Sequence, residues 1–305
     1  LILAAYWMRD FSWTHALYLG VFHSISAFCT AGFCLFSESL IPYGHSFVVN
    51  AVIIILSLAG GIGFFVLNEA VFAVRMKMIR KRNRKLSAHT RLAILVTTVL
   101  ISISSIIIFF SEQWSPSLSF VKKAMYSSFQ AISASTTDGF NTLNISAMSV
   151  PSLFIIILLM LTGASPGGTG GGIKTTTLGT IFLYIKAQLT GQRDANFFKE
   201  RIPEQTIRKS FSVFFLFAGI MILDLLLMAT IENASFLAIL FESASALGNT
   251  GLSMGITSNL SWIGKLALSM TMFIGRVGPL TIGMALVGRS KEVRFSYADG
   301  EVYVG

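Results

Sequence analysis

Long apolar runs alternate with short polar and basic segments along this chain. A run of about 20 apolar residues is long enough to cross a bilayer as a helix. The run at 47–68 carries no formal charge, while the runs at 211–231 and 266–287 each contain one charged residue. The pattern therefore predicts an all-α, polytopic membrane protein. The predicted spans are residues 47–68, 92–110, 150–173, 211–231 and 266–287.

A 12-residue motif occurs three times between these runs. It reads FHSISAFCTAGF at 22–33, FQAISASTTDGF at 129–140 and FESASALGNTGL at 241–252. The copies share a Phe, a Ser, an Ala and a Gly at the same places, which indicates repeated structural units. We predict three helix–pore-loop–helix units. They cover residues 1–85, 86–190 and 191–305, with the outer helix of the first unit truncated.

Each copy of the motif predicts a short helix followed by a glycine turn that dips into the membrane. The motif is too short to span a bilayer, and irregular backbone is tolerated at membrane depth only where it lines a cavity. Glycine lets the backbone turn its carbonyls toward an ion, and the negative end of the short helix favours a cation. The alternative is three unrelated core helices that happen to end in glycine.

Residues 163–172 break the third predicted span. Six of the ten are glycine and Pro166 lies among them, so no ordinary helix is expected there. The segment suggests a mobile obstruction in the membrane, or close helix packing through small residues. Lys174 directly after it either extends to the inner interface or faces the cavity.

The last predicted span is interrupted by the sequence GRVGP at 275–279. Its Arg276 cannot lose its proton and is costly in lipid, so it needs a cavity or a partner. A structural partner could be a carboxylate such as Glu69 or Asp224, or helix carbonyls.

Composition agrees with a membrane protein, since 53% of the residues are hydrophobic and only 12% are charged. The net charge of +9 does not indicate nucleic-acid binding, because the basic residues cluster between the apolar runs. Of the 23 lysines and arginines, 17 fall in residues 75–91, 186–209 and 289–305. By the positive-inside rule these segments are cytoplasmic, which predicts a multi-pass protein of the cell (inner) membrane.

Enzymatic chemistry finds no support in the sequence. The four histidines are scattered, and Cys29 and Cys34 do not match a metal-ligand spacing, so we expect free thiols. A phosphate-binding loop needs glycine directly before its lysine, whereas Ile173 precedes Lys174. We predict no catalytic residue and no bound cofactor.

The three motifs, together with GGIGFFVLNE, GASPGGTGGGIKTTT and GRVGPLT, resemble the Trk/Ktr/HKT superfamily of potassium transporters, and most closely its Ktr branch. Members of that superfamily have four such repeats in pseudo-fourfold arrangement around a central cation pore. This sequence shows three, which correspond to the second to fourth repeats. The resemblance therefore implies an incomplete sequence rather than a natural three-repeat transporter.

The resemblance implies K⁺ uptake through a filter of backbone carbonyls and a gate beneath it, with Na⁺ as a candidate co-ion. Each repeat shares one glycine, so we expect a short filter. Cys29 departs from the family, which often has Asn there. The implied filter residues are Cys29, Thr30, Ala31, Gly32, Thr136, Thr137, Asp138, Gly139, Gly248, Asn249, Thr250 and Gly251. The implied gate residues are Gly163, Gly167, Gly168, Gly170, Gly171, Gly172, Lys174 and Arg276.

Partners are implied by the same resemblance: a second copy of the chain, membrane lipid, and a cytoplasmic ring of nucleotide-binding regulatory subunits. We expect the tail at 289–305 to pack at the dimer interface, or else to be solvated. Basic residues in 75–91 and 193–209 would meet the regulator. The alternative function is a Na⁺-selective or non-selective cation channel or carrier of the same superfamily.

Overall fold

The computed structural model describes residues 1–80, 86–278, 280–281 and 284. These residues are predominantly helical, with short 3₁₀ turns in three of the loops. The helices are α1 (Ile2–Trp7), α2 (Trp13–Phe28), α3 (Phe47–Gly61), α4 (Phe64–Arg80), α5 (Ala88–Ser111), α6 (Phe120–Ser135), α7 (Val150–Thr162), α8 (Thr175–Leu189), α9 (Glu204–Ile231), α10 (Phe236–Gly248) and α11 (Trp262–Val277).

Serine residues start most of the long helices. A serine hydroxyl at the N-cap accepts a hydrogen bond from an otherwise unpaired amide of the first turn. The N-cap serines of α7 and α11 also donate to a carboxylate that ends the preceding long helix. The Ser149 backbone N–H lies 3.0 Å from Glu112, and the Ser261 N–H lies 3.0 Å from Glu232. The serine hydroxyls that accept a hydrogen bond from a first-turn amide are those of Ser46, Ser87, Ser119, Ser235 and Ser261.

Two helices of the described residues, Ala88–Ser111 and Glu204–Ile231, are long and apolar enough to cross a membrane. The prediction of one continuous span at 47–68 is wrong. The helix stops at Gly61, and its continuation Phe64–Met76 is bent by 104°. The break has a local cause, because Gly63 takes a φ of +90° and the Phe64 amide donates to Gly167 instead of continuing the first helix.

A small β-hairpin adds to the predicted all-α fold. Strands β1 (Asn196–Phe197) and β2 (Glu200–Arg201) pair antiparallel. Phe198 and Lys199 between them have φ values of 47° and 69°, the left-handed conformation that suits a two-residue hairpin turn.

The three motif helices, α2, α6 and α10, have at most 16 residues and are packed among the other helices. α6 contacts α3, α5 and α7, and α10 contacts α7, α9 and α11. Phe129, Phe140 and Phe241 are almost completely buried, and every residue from 131 to 140 is buried. The motif phenylalanines therefore anchor two of the short helices in the core, and the second motif lies deepest.

The breaks predicted in the later spans are confirmed. Residues 163–174 contain no helix, and α11 ends at Val277 with Gly278 in a positive-φ conformation. The predicted tail at 289–305 lies outside the described residues, as do 81–85 of the basic segment and Pro279.

Candidate ion pathway

The three short helices end in the same hydrogen-bonded cap. The amide of the residue before the motif glycine donates to the carbonyl of the shared serine, at 2.9 Å in every copy. This bond joins residues five apart, and a second bond joins residues three apart within the same turn. Together they form a Schellman cap, which satisfies carbonyls that the helix end leaves free. The donor and acceptor pairs are Ala31 with Ser26, Asp138 with Ser133, and Thr250 with Ser245.

The cap forces one non-glycine residue of each motif into the left-handed region. Thr30, Thr137 and Asn249 have φ values of 47°, 56° and 55°. A non-glycine residue in this region costs roughly 1 kcal/mol. The same strained conformation at three equivalent positions therefore indicates one repeated turn rather than three unrelated helix ends.

The motif glycines bring neighbouring turns into contact. A Cβ added to Gly32 would overlap the backbone carbonyl oxygen of Asp138, and one added to Gly139 would overlap that of Thr250. The first turn thus abuts the second, and the second abuts the third. Only glycine permits this approach, because any side chain would displace the carbonyl of the next turn. A Cβ on Gly251 would meet no described atom within 4 Å.

Asp138 links two of the turns through its side chain. Its carboxylate is fully buried, accepts a hydrogen bond from the Ser57 hydroxyl on α3, and faces the backbone N–H of Gly32 in the first turn. The equivalent residues of the other copies are Ala31 and Thr250. The sequence pattern does not reveal this link, because the other two copies carry no carboxylate at the same place.

The second residue of each motif is also polar and buried, which the sequence comparison overlooked. His23 Nε2 contacts Cys34 Sγ at 3.3 Å, and Glu242 accepts from Thr257 at 2.9 Å and from Ser253. Both side chains therefore hold the segment that follows the motif glycine. A polar residue recurring at one place in an apolar helix was the signal that could have revealed them.

The glycine-rich segment 163–174 lies against the ends of all three turns. The Thr169 hydroxyl is 2.9 Å from that of Thr30, the Gly171 amide donates to the Thr137 hydroxyl at 3.0 Å, and a Cβ on Gly171 would overlap the Gly248 carbonyl. The remaining predicted gate glycines lie in the same segment, with Gly167 and Gly168 against the α3–α4 break and Gly163 against Gly171 and Gly172.

Two cations hold this segment from below. Lys174 Nζ donates to the Gly170 carbonyl at 2.6 Å, so its side chain folds back onto the segment instead of extending away. Arg276 on α11 donates to the Thr169 carbonyl. The alternative that Arg276 pairs with the carboxylate of Glu69 or Asp224 is wrong, because no such ion pair forms among the described residues. Asp224 accepts from Thr271 at 2.6 Å, and Glu69 accepts from Ser87 and Thr90.

A second internal repeat, which the three-motif alignment does not include, consists of a serine and a later glycine on each of α3, α7 and α11. The N-cap serines of α3, α7 and α11 are each followed 14 residues later by glycine. A Cβ on Gly60 would overlap the Phe28 carbonyl, and one on Gly275 would overlap the Leu247 carbonyl. The pairs are Ser46 with Gly60, Ser149 with Gly163, and Ser261 with Gly275.

Enzymatic and metal chemistry remain unsupported in the part of the chain that the structure describes. No group of three or more His, Cys, Asp or Glu side chains there is placed to hold a metal ion. Cys29 and Cys34 are free thiols, as expected. The polar groups at the motif ends are backbone carbonyls, hydroxyls and the Asp138 carboxylate.

The fold is that of a helical membrane transporter. The crystal structure of the potassium transporter TrkH from Vibrio parahaemolyticus superposes with a TM-score of 0.73 at 20% identity, over 93% of this chain and 60% of that one. Residues 5–292 match the TrkH family model, described as cation transport protein. The chain therefore belongs to the TrkH family of cation transport proteins.

Curated relatives agree with this assignment. The chain is 35% identical to Ktr system potassium uptake protein B of Bacillus subtilis, over 100% of this chain and 67% of the relative. It is 28% identical to the potassium/sodium uptake protein NtpJ of Enterococcus hirae, over 99% of this chain and 67% of the relative. The chain thus spans about two thirds of the length of these relatives.

Proposed function

We propose that this chain forms three walls of a selectivity filter for K⁺ uptake across the cell membrane. The observation that carries the proposal is the stacking of three identically capped turns, in which the glycine of one turn meets the carbonyl of the next. Backbone carbonyls of such turns can replace the hydration shell of a cation. The names of the relatives, which include potassium uptake proteins, support K⁺ as the ion.

Closure of the filter requires protein on a fourth side. The edges at Ala31 and Gly251 are exposed, whereas the second turn is enclosed. Relatives are about half as long again as this chain. We propose that a segment equivalent to their additional length lies between these two edges, so that the complete protein has four walls.

The segment 163–174, with Lys174 and Arg276, is the proposed gate. It passes beneath all three turns and contacts each of them. Its backbone bonds are irregular and go mostly to other segments, so a second arrangement exchanges bonding partners instead of unwinding a helix. Opening requires Arg276 to release the Thr169 carbonyl and the segment to move off the pore axis.

Potassium uptake is tested by expressing the complete protein in cells that lack their own K⁺ uptake. Growth at low K⁺ and uptake of ⁸⁶Rb⁺ are the readouts, with competition by Na⁺ as the measure of selectivity. Rescue of growth by the complete protein is expected. Failure of a well-expressed protein to carry either K⁺ or Rb⁺ contradicts the proposal.

A Na⁺-conducting or non-selective pathway is the second candidate. It is favoured by the relative NtpJ, which is named a potassium/sodium uptake protein. Ion-replacement flux in proteoliposomes separates the two. Equal ²²Na⁺ and ⁸⁶Rb⁺ flux would replace K⁺ selectivity with this alternative, while leaving the pore assignment in place.

The assembly of the protein is the next part of the proposal. We infer a homodimer seated on a cytoplasmic ring of regulatory subunits, with residues 289–305 at the dimer contact and the basic segments toward the regulator. Support comes from the excess of Lys and Arg in those segments. Deleting residues 296–305 and measuring the mass of the complex tests the dimer contact, and unchanged dimerisation removes this role.

A further inference from the structure

Two adjoining cavities on the basic side of the molecule have complementary characters. The first, of about 650 Å³, lies between α5, α8, α9 and the hairpin, and its largely apolar lining includes a group of cationic and hydroxyl side chains. The second, of about 610 Å³, lies between α5, α8 and the hairpin and is lined mainly by aliphatic and aromatic side chains. Leu92 and Phe197 line both cavities, so the two adjoin each other.

Charge in the first cavity is strongly positive. Lys174, Lys209 and Arg201 line it together with His89, against one carboxylate, that of Glu200. Arg201 already pairs with Asp194 at 3.0 Å, whereas neither lysine belongs to a salt bridge among the described residues. Hydroxyls of Thr176, Thr177, Thr180, Thr206 and Ser210 are the further polar groups of the lining.

The N-terminus of α8 opens into the same cavity. Its N-cap, Lys174, makes no side-chain capping bond, and Thr176 and Thr177 of the first turn line the cavity. The positive end of a helix dipole favours an anion, phosphate in particular. Lysines, hydroxyls and a helix start thus converge on a space that suits a phosphate group.

The second cavity opens toward the membrane. Leu95, Val99 and Phe182 line it and are 47%, 44% and 67% exposed, and α5 is one of the two helices able to cross a membrane. Exposed apolar side chains along such a helix are covered by lipid chains. A positively charged cavity next to an apolar groove matches the two parts of an anionic phospholipid, its headgroup and its acyl chains.

We propose that these cavities bind one anionic phospholipid of the leaflet on the basic side, with its phosphate beside Lys209 and Lys174 and an acyl chain along α5 and α8. Anionic lipid is the occupant that matches both halves, because a soluble anion leaves the apolar groove empty and a neutral lipid leaves the lysines without a partner. Basic pockets between membrane helices are known to take such headgroups.

The site adjoins the proposed gate. Lys174 lines the cavity and donates to Gly170, so a bound phosphate would compete for the same ammonium group. This coupling to transport rests on the proposed function, whereas lipid retention is measured without any transport assay. The two can therefore fail separately.

Native mass spectrometry of the complete protein tests the lipid site. The protein is equilibrated with equal amounts of phosphatidylglycerol and phosphatidylcholine of matched acyl chains, and the retained lipid is counted. We expect selective retention of one phosphatidylglycerol. Lys209→Gln should weaken it about fivefold, the effect of one basic contact with an anionic headgroup.

Two further variants separate the halves of the site. Val99→Trp fills the apolar groove without changing charge and should also reduce retention of phosphatidylglycerol. Lys199→Gln is the matched control, since it removes the same charge on the same side from a residue that lines neither cavity. It should leave retention unchanged.

Three outcomes overturn the proposal. The first is equal retention of the two lipids, and the second is equal loss of phosphatidylglycerol in Lys209→Gln and Lys199→Gln. The third is displacement of bound phosphatidylglycerol by free glycerol phosphate at the same concentration, which would make the cavity a soluble-anion site. Thermal unfolding of each variant confirms that it is folded before lipid is counted.

Discussion

The second and third turns have the same backbone conformation but different surroundings. Gly139 and Gly251 have nearly identical φ values, 89° and 88°, and follow caps with the same 2.9 Å bond. Yet Gly139 meets the Thr250 carbonyl, while Gly251 has no described neighbour where a Cβ would lie. The comparison teaches that the cap is determined locally, whereas the space around the glycine is determined by the neighbouring turn.

The largest effect is expected for the enclosed glycine. Gly139→Ala adds roughly 1 kcal/mol of backbone strain plus an overlap worth about 1–3 kcal/mol, whereas Gly251→Ala adds only the strain in this chain. We expect Gly139→Ala to reduce ⁸⁶Rb⁺ uptake by the complete protein about tenfold or more, and to lower its thermal unfolding midpoint.

Gly219→Ala is the control for the added methyl group, because its position on α9 is open. If Gly139→Ala behaves like this control, the close contact between turns is wrong. If Gly251→Ala in the complete protein is as damaging as Gly139→Ala, further protein packs against the third turn, as the four-walled proposal requires.

Asp138 provides the next effect, because its carboxylate has no counterpart in the third turn. Asp138→Ala removes the carboxylate that bonds Ser57 and faces Gly32, and leaves the Ser57 hydroxyl with the Ile53 carbonyl alone, at a cost of about 1 kcal/mol. We expect K⁺ over Na⁺ discrimination to fall about tenfold in Asp138→Ala and less in Asp138→Asn, which keeps one acceptor oxygen. Competition between ⁸⁶Rb⁺ and Na⁺ measures it.

Thr250→Ala is the matched change in the third turn, since the buried Thr250 hydroxyl has no hydrogen-bond partner in the part of the chain described. It should leave ion discrimination near the starting value. Equal effects of Asp138→Ala and Thr250→Ala would mean that the carboxylate does not position the filter.

Arg276 links the third unit to the glycine-rich segment. Its side chain extends from α11 to the carbonyl of Thr169, which lies against the first turn. Arg276→Gln removes a charge-assisted hydrogen bond that holds the proposed gate and should raise basal ⁸⁶Rb⁺ flux about fivefold. Arg276→Lys keeps the charge and should show a smaller rise. Lower or unchanged flux in folded Arg276→Gln protein assigns this residue a structural role.

The smallest effect concerns the left-handed residues of the caps. Thr137→Gly relieves backbone strain but leaves the enclosed Gly171 amide without its acceptor, so a net loss of about 1 kcal/mol is expected. Asn249→Gly relieves the same strain and gives up the 2.9 Å bond to Met272 at a half-buried position, for a net change near zero. Thermal unfolding of the two variants side by side checks this order, and a reversed order would contradict the difference in enclosure.

Local chemistry determined what could be predicted from the sequence. The three motifs end short helices as expected, because a Schellman cap depends on residues within a few positions of one another. The break at 163–174 follows from the helix propensity of glycine and proline alone. The family resemblance, carried by the same motifs, agrees with the matched family model.

Contacts between distant segments were decided only by the tertiary structure. The bend after Gly61 depends on bonds to residues 165–167, about 100 positions away, so residues 47–68 alone look like one span. The partners of Arg276 and Asp138 are likewise a backbone carbonyl and a hydroxyl on other elements. Many residues offer such groups, so the sequence cannot specify which one an ionisable side chain will reach until the helices have packed.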